Sequence, residues 1–218
     1  MKISAAIFDM DGLLIDSEPL WQEAGKETLR HFGHELSTEL YHTSTGLRTE
    51  EWVEYWFHYF GISMKHAAEA TSTVIRKAIE KIDAEGEAMP GVDYILDLCH
   101  NQGFQLGLAS SSPMELIDVV VDKLKIRSRF HTLTSAGELP YGKPHPQVFL
   151  NCAAELKANV LECLVLEDSF NGMIAAKAAR MRCAVVPASS EFDHPKWGPA
   201  DLRVPSLNAI TTDLLLQL

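Results

Sequence analysis

No apolar run in the 218 residues approaches the roughly 18 residues that a membrane-spanning helix needs, so nothing is expected to cross a bilayer. Positive charge is scarce as well. Nineteen lysines and arginines stand against thirty acidic residues, for a net charge of −11, which argues against a sequence-independent nucleic-acid binder. The same imbalance poses a problem for any anionic substrate, because something must reverse the sign locally. Only four cysteines occur (Cys99, Cys152, Cys163, Cys183), all in apolar segments and none in a CxxC pair. They read as small core residues of a reducing, cytoplasmic compartment rather than as disulfides or metal ligands. One lysine and a handful of apolar residues precede Asp9, too few to suggest a secretory leader. There is no internal repeat and no low-complexity tract. What remains is an ordinary globular composition, 46% hydrophobic and 22% charged, of a length that suits one large domain or a core with a small second one.

The first apolar run, residues 3–8, is long enough for one buried strand and ends abruptly in Asp9 and Asp11. Residues i and i+2 of a strand share a side, so both carboxylates can face one space where the chain leaves the sheet. Gly12 then permits a turn that a side chain would hinder. Two carboxylates aimed at one point make sense around a cation or a shared proton. Asp and Gly also end many strands in ordinary turns, and this stretch alone leaves both readings open.

From residue 17 to about 85 helix follows helix. Ser17 is a suitable N-cap and Pro19 a first-turn residue, Leu20, Trp21, Ala24, Leu29 and Phe32 share a face, and Gly33 stops the helix. A polar connection, 37–48, leads to a helix striped by Trp52, Val53, Trp56, Phe57 and Phe60. A third helix, about 65–82, carries Ala70, Val74, Ile75, Ala78, Ile79 and Ile82. The pattern changes at Met89-Pro90-Gly91, a turn signal. Strands at 105–109, 130–134, 163–166 and 184–186 then alternate with helices at 92–99, 113–123, 147–156 and 171–179. An extended piece near 202–204 and a helix from 207 end the chain. Strands separated by helices imply a parallel sheet covered on both faces. The expected fold is therefore α/β, a doubly wound, Rossmann-like parallel sheet core (1–16 and 87–218) interrupted by a small all-helical cap domain (17–86).

Open α/β sheets bind ligands beyond the carboxyl ends of their strands. That edge collects Asp9 and Asp11 from the first strand and Ser110, Ser111 and Ser112 from the second. It also collects Lys143, in GKPHP, after the third, and Glu167 and Asp168 directly after the strand 163–166. Ser112-Pro-Met-Glu115 fits a capping box, which explains Ser112 and leaves Ser110 and Ser111 for an anion at a helix N-terminus. Lys143 alone could be a solvated charge, and Glu167-Asp168 alone could favour a helix dipole. Together, on one edge, they form a site. Four acidic groups against one lysine would repel a phosphate unless a hard divalent cation with oxygen ligands joined them, and Mg²⁺ typically takes a few carboxylates and a phosphate oxygen. A carboxylate can attack phosphorus, and a second one two residues away can protonate the leaving oxygen and later deprotonate water.

DMDG with Asp9 and Asp11, Ser110 after the strand LGLAS, Lys143 in GKPHP, and LEDS with Glu167 and Asp168 resemble the four motifs of the haloacid dehalogenase-like hydrolases. The helical insertion after the first motif resembles that superfamily's small helical cap subclass. The segments AAIFDMDGLLIDSEPLW, LPYGKPHPQVFLNCAAEL and LEDSFNGMIAAKAARMR resemble bacterial sugar phosphatases of the 2-deoxyglucose-6-phosphate (hexitol) phosphatase type. The resemblance implies Asp9 as nucleophile and Asp11 as acid/base. It implies one Mg²⁺ (replaceable by Mn²⁺ or Co²⁺) held by Asp9, the Asp11 carbonyl and Asp168, with Glu167 nearby. Ser110 and Lys143, assisted by Ser111, would bind the phosphoryl group. The implied partner is a small phosphorylated substrate, a hexose or hexitol phosphate, handled by a monomer, with a dimer as the alternative.

Other members of the superfamily fit less well. Dehalogenases lack the second aspartate, and phosphonate hydrolases use a cap lysine that none of Lys65, Lys77 and Lys81 matches. β-Phosphoglucomutase carries a hinge histidine where Trp21 stands. A mutase, or a sensor that binds sugar phosphate without turnover, are the competing readings, and a sensor would not require Asp11. In the cap, the connection 41–49, with Gly46 to let it reach and Arg48 to bind hydroxyls through its planar fork, is a candidate for substrate choice. Trp21 offers a flat apolar face to a sugar ring. A cap-core Trp21 and a solvated Arg48 are the plain alternatives.

Overall fold

The structure, a computed structural model, describes residues 2–44 and 47–218, with only the backbone of His42. Gly46, expected to give the cap connection its reach, lies outside the described residues. The chain forms two compact units, Met1–Asp16 with Ala88–Leu218, and Ser17–Glu87.

The larger unit is built on one six-stranded sheet of β1 (Ala5–Phe8), β2 (Gln105–Ser110), β3 (Thr132–Ser135), β4 (Cys163–Glu167), β5 (Arg182–Val185) and β6 (Leu202–Arg203). All pairings are parallel, in the order β3-β2-β1-β4-β5-β6. The chain winds outward from β1 in one direction, returns, and winds outward in the other, which leaves β1 and β4 adjacent at the switch point. Crossovers run through the helices 92–101 (Val92–Asn101), 114–123 (Met114–Lys123), 147–155 (Gln147–Glu155) and 170–178 (Phe170–Ala178), and Thr212–Gln217 closes the chain. One sheet face, with Ala5, Ile7, Cys163, Val165, Cys183 and Val185, packs on Val148, Phe149 and Cys152 of the third of these helices and on Met173, Ala175 and Ala176 of the fourth. Ala6, Phe8, Leu106, Leu108, Leu164 and Leu166 alternate to the other face and are also fully buried. Burial on both sides is why these strands read as unbroken apolar runs. All four cysteines are free and buried in this core.

The smaller unit holds Glu18–His31, Thr38–His42, Thr49–Phe60 and Ala67–Glu85, all helical. The first and third of these pack against the fourth, which extends a Met64–His66 turn. Trp52, Val53, Trp56 and Phe57 of the third helix and Ala70, Val74, Ala78 and Ile82 of the fourth are buried in the core of this unit. The connection expected at 37–48 contains a five-residue helix, Thr38–His42, whose start is marked by Ser37 accepting a hydrogen bond from the Leu40 N–H at 3.2 Å. Five residues are too few to show a helical period. At the other end of the chain, a 3₁₀ turn at Leu207–Ala209 precedes a helix that begins only at Thr212, not at 207. Among the described residues no helix is long and apolar enough to cross a membrane.

Candidate active site

Phe8 lies level with Leu108 and Leu166 in the flanking strands, so β1 releases the chain between the ends of β2 and β4. The Asp9 N–H still donates to the Leu166 carbonyl at 3.0 Å, which fixes Asp9 at the sheet's edge. A tight turn follows, with the N–H groups of Leu14 and Ile15 donating to the Met10 carbonyl. Gly12 takes φ +76° there, and a Cβ on it would come within 2.3 Å of Asp168 Oδ2. Position 12 thus requires glycine twice over, for its backbone and for the carboxylate pressed against it.

Lys143 is the hub. Its buried ammonium donates to Asp9 Oδ1 at 2.6 Å, to Glu167 Oε1 at 2.7 Å and to the Ala109 carbonyl at 3.2 Å. Its Nζ also lies 4.8 Å from the centre of the Phe149 ring. Burial opposes the charge on Lys143, but the carboxylates of Asp9 and Glu167 outweigh it and hold the ammonium protonated well above its ordinary range. Burial and the negative charge of Glu167 push the Asp9 carboxyl up to about 7, against the pull of Lys143. With both carboxyls ionised the three groups carry one excess negative charge, and the raised position of the Asp9 carboxyl reflects that excess.

Glu167 is fully buried, and both of its oxygens are engaged. Oε1 takes Lys143; Oε2 accepts from the N–H groups of Asp168 (3.1 Å) and Ser169 (2.9 Å) and from the Ser169 hydroxyl (2.9 Å). Ser169 in turn caps the helix Phe170–Ala178, accepting from the Gly172 N–H at 3.0 Å. A Cβ on Gly172 would fall 1.7 Å from Glu167 Oε1. Ser169 and Gly172 are thus part of the site's frame, and their expression in the sequence is only a helix-start pattern, Ser-Phe-Asn-Gly. Asp9, Glu167 and Asp168 each offer an oxygen within 4.8 Å of the others. A set of hard carboxylate oxygens at that spacing fits a small divalent cation rather than a soft one.

Asp11, half-buried, faces the end of β2. Its Oδ2 accepts from the Ser112 hydroxyl at 2.7 Å, and Ser110 Oγ lies 3.3 Å away. The Ser112 N–H donates to Ser110 Oγ at 3.0 Å. The expected capping box at Ser112 does not form. The N-cap of Met114–Lys123 is Pro113, and the Ser112 hydroxyl turns to a carboxylate 101 residues earlier. Ser111 stands half-buried between these two serines.

The residues Asp9, Asp11, Ser110, Lys143, Glu167 and Asp168 therefore converge at the carboxyl edge of β1, β2 and β4. Trp21 and Arg48 belong to the helical unit. Trp21 is half-buried on Glu18–His31. Arg48 precedes Thr49–Phe60, and Glu51 accepts from its backbone N–H (3.2 Å) and from guanidinium Nη2 (3.0 Å). That i,i+3 pairing, readable as Arg-x-x-Glu at a helix start, orients Arg48 rather than leaving it solvated.

A parallel α/β sheet with an acidic, lysine-bridged centre at its switch point and a helical insertion after the first strand defines a class of hydrolases. Residues 6–186 match the family described as haloacid dehalogenase-like hydrolase, and the chain belongs to it. It is 44% identical to hexitol phosphatase B of Escherichia coli (strain K12) over 99% of this chain and 97% of that one. It is 29% identical to β-phosphoglucomutase of Bacillus subtilis (strain 168), over 98% and 94% of the two chains. The fold superposes on a crystal structure of β-phosphoglucomutase from Clostridium difficile with a TM-score of 0.86, at 23% identity, covering 99% of this chain and 96% of that one.

Proposed function

We propose that the protein hydrolyses phosphate monoesters of small sugars or sugar alcohols, hexose and hexitol phosphates foremost, through a phosphoenzyme on Asp9. The observation that carries this reading is Asp9 itself, a buried carboxylate at the end of β1, flanked by Lys143 and followed two residues later by Asp11. The likeness to a hexitol phosphatase supports the choice of substrate.

In the first step an Asp9 carboxylate oxygen attacks phosphorus, the bond from phosphorus to the sugar oxygen breaks, and Asp11 gives that oxygen its proton. In the second step water attacks phosphorus, Asp11 takes a proton back, and the Asp9–phosphate bond breaks to free inorganic phosphate. Ser110, with Ser111 assisting, and Lys143 hold the phosphoryl oxygens. Asp9, Asp168 and the Asp11 backbone carbonyl would hold one Mg²⁺, for which Mn²⁺ or Co²⁺ could substitute. Bound there, the ion offsets the charge that four acidic groups present to a dianionic ester. Glu167 fixes Lys143 and the start of the helix Phe170–Ala178, which aims Asp168. The four buried free thiols support a reducing, cytoplasmic setting.

The test is a panel of hexitol, hexose, glycolate and nucleoside monophosphates, assayed with Mg²⁺ and with excess EDTA. A hexitol or hexose phosphate should give the highest kcat/KM, and EDTA should lower it by more than about a hundredfold. A nucleotide as best substrate, or full activity in EDTA, would overturn the assignment.

In the helical unit we assign the choice of the remaining substrate to Trp21 and Arg48. Arg48→Ala should lower kcat/KM for the best sugar phosphate about tenfold more than for p-nitrophenyl phosphate, on the order of one charge-assisted hydrogen bond. Equal losses on the two substrates would remove Arg48 from that role.

A further inference from the structure

We propose that Ser112 is a positioning residue for catalysis, its hydroxyl holding the Asp11 carboxylate in the orientation from which it exchanges protons. The inference rests on the reading of Asp11 as the acid/base.

Ser112 is buried, 7% exposed, and tied down at three points. Its hydroxyl donates to Asp11 Oδ2 at 2.7 Å, its N–H donates to Ser110 Oγ at 3.0 Å, and its carbonyl accepts from Ser135 Oγ at 2.6 Å. Ser135 is itself anchored, its hydroxyl oxygen accepting from the Gly137 N–H at 2.9 Å. The hydroxyl that reaches Asp11 is thus fixed by the ends of two adjacent strands, β2 and β3, whose register sets Ser110 level with Ser135.

A local structural duty does not account for that hydroxyl. Ser112 precedes Pro113, the N-cap of the helix Met114–Lys123, and its side chain spans the gap to the turn that follows β1. Ser110 cannot substitute for it. A hydroxyl has one proton, and in the phosphatase reading Ser110 gives its proton to a phosphoryl oxygen. Its 3.3 Å approach to Asp11 is in any case the longer one. When substrate engages Ser110, Ser112 is the serine left to steady Asp11. A donor on Oδ2 assigns the proton exchanged with the sugar oxygen, and later with water, to Oδ1. Without that tether the carboxyl loses one of the contacts that orient it, and each of its two proton transfers becomes less frequent.

The leaving group separates this role from a merely structural one. kcat/KM reports steps up to departure of the alcohol, which needs a proton for a sugar and hardly any for 2,4-dinitrophenolate. Ser112→Ala should lower kcat/KM for a hexitol phosphate by about tenfold or more and leave that for 2,4-dinitrophenyl phosphate within about threefold. Loss of general-base help should also slow hydrolysis of the phosphoenzyme, so that dinitrophenolate appears in a burst. Ser135→Ala, which frees the Ser112 carbonyl, should show a weaker form of the same split and serves if Ser112→Ala fails to fold. Asp11→Asn is the reference. If it shows the split and Ser112→Ala lowers both substrates equally or neither, Ser112 has no part in proton transfer. If Asp11→Asn itself shows no split, the acid/base assignment fails first. In an Asp11→Asn background, Ser112→Ala should add little further loss on the hexitol phosphate; fully multiplicative losses would also overturn the proposal.

Discussion

Asp9→Asn is expected to abolish turnover, by at least about 10⁴-fold, because removing a nucleophile costs nearly everything the residues acting with it achieve. The carboxamide keeps the shape and removes one charge from a cluster that carries one too many, and Lys143 keeps Glu167 as a partner. The fold should therefore survive, with cooperative unfolding near that of the parent. Stereochemistry gives the decisive measurement in the parent enzyme. Two in-line displacements, first by Asp9 and then by water, each invert phosphorus, so a phosphorothioate ester made chiral with one oxygen isotope and hydrolysed in water carrying another should give thiophosphate with net retention. Net inversion would mean direct attack by water and would remove Asp9 as nucleophile.

Lys143→Met is expected to damage both stability and activity. The ammonium satisfies three buried acceptors, and its loss leaves Asp9 and Glu167 facing each other without a counter-charge. Breaking a buried ion pair from one side costs about 3–5 kcal/mol, limited here by protonation of one carboxyl. Urea unfolding should show that loss in EDTA and a smaller one in excess Mg²⁺, since a cation bound to the folded state takes over part of the neutralisation. Activity should fall by more than about a hundredfold even with Mg²⁺, because the ion does not replace the ammonium that holds the Asp9 carboxylate and that the proposed mechanism sets beside the phosphoryl group. The double variant Lys143→Met/Glu167→Gln should regain much of the stability and none of the activity. A Lys143→Met protein within about 1 kcal/mol of the parent would show that the cluster does not depend on Lys143.

Much of this was legible in the sequence, because the signals are local. An unbroken apolar run ending in Asp-x-Asp-Gly marks a strand buried on both faces and the point where it exits, and three later strands end in the same kind of abrupt polarity. Knowing that such edges align in a parallel sheet was enough to bring Asp9, Ser110, Lys143 and Glu167 together. The rest depends on contacts between distant segments. Ser112 carries the right residue type and spacing for a helix cap, and nothing local shows that Asp11 competes for its hydroxyl and wins. Gly172 reads as a helix residue of no distinction until Glu167 is found pressed against it. Glu167 and Asp168 are neighbours of the same charge, yet one is turned inward to four donors while the other lies against Gly12.

The exit from β1 has a further consequence. Ile15 forms an antiparallel bridge with Ala88, and the Met89 N–H donates to the Leu14 carbonyl at 3.0 Å. The chain thus leaves the core at Asp16 and rejoins it at the adjacent point. Closing a disordered excursion of about 70 residues would cost the core on the order of 4 kcal/mol of chain entropy. An insertion that folds on its own, with its ends side by side, removes most of that burden. The helical unit then behaves as an exchangeable module. Its sequence can drift, lengthen or be replaced while the pairing of β1 with β2 and β4 stays untouched.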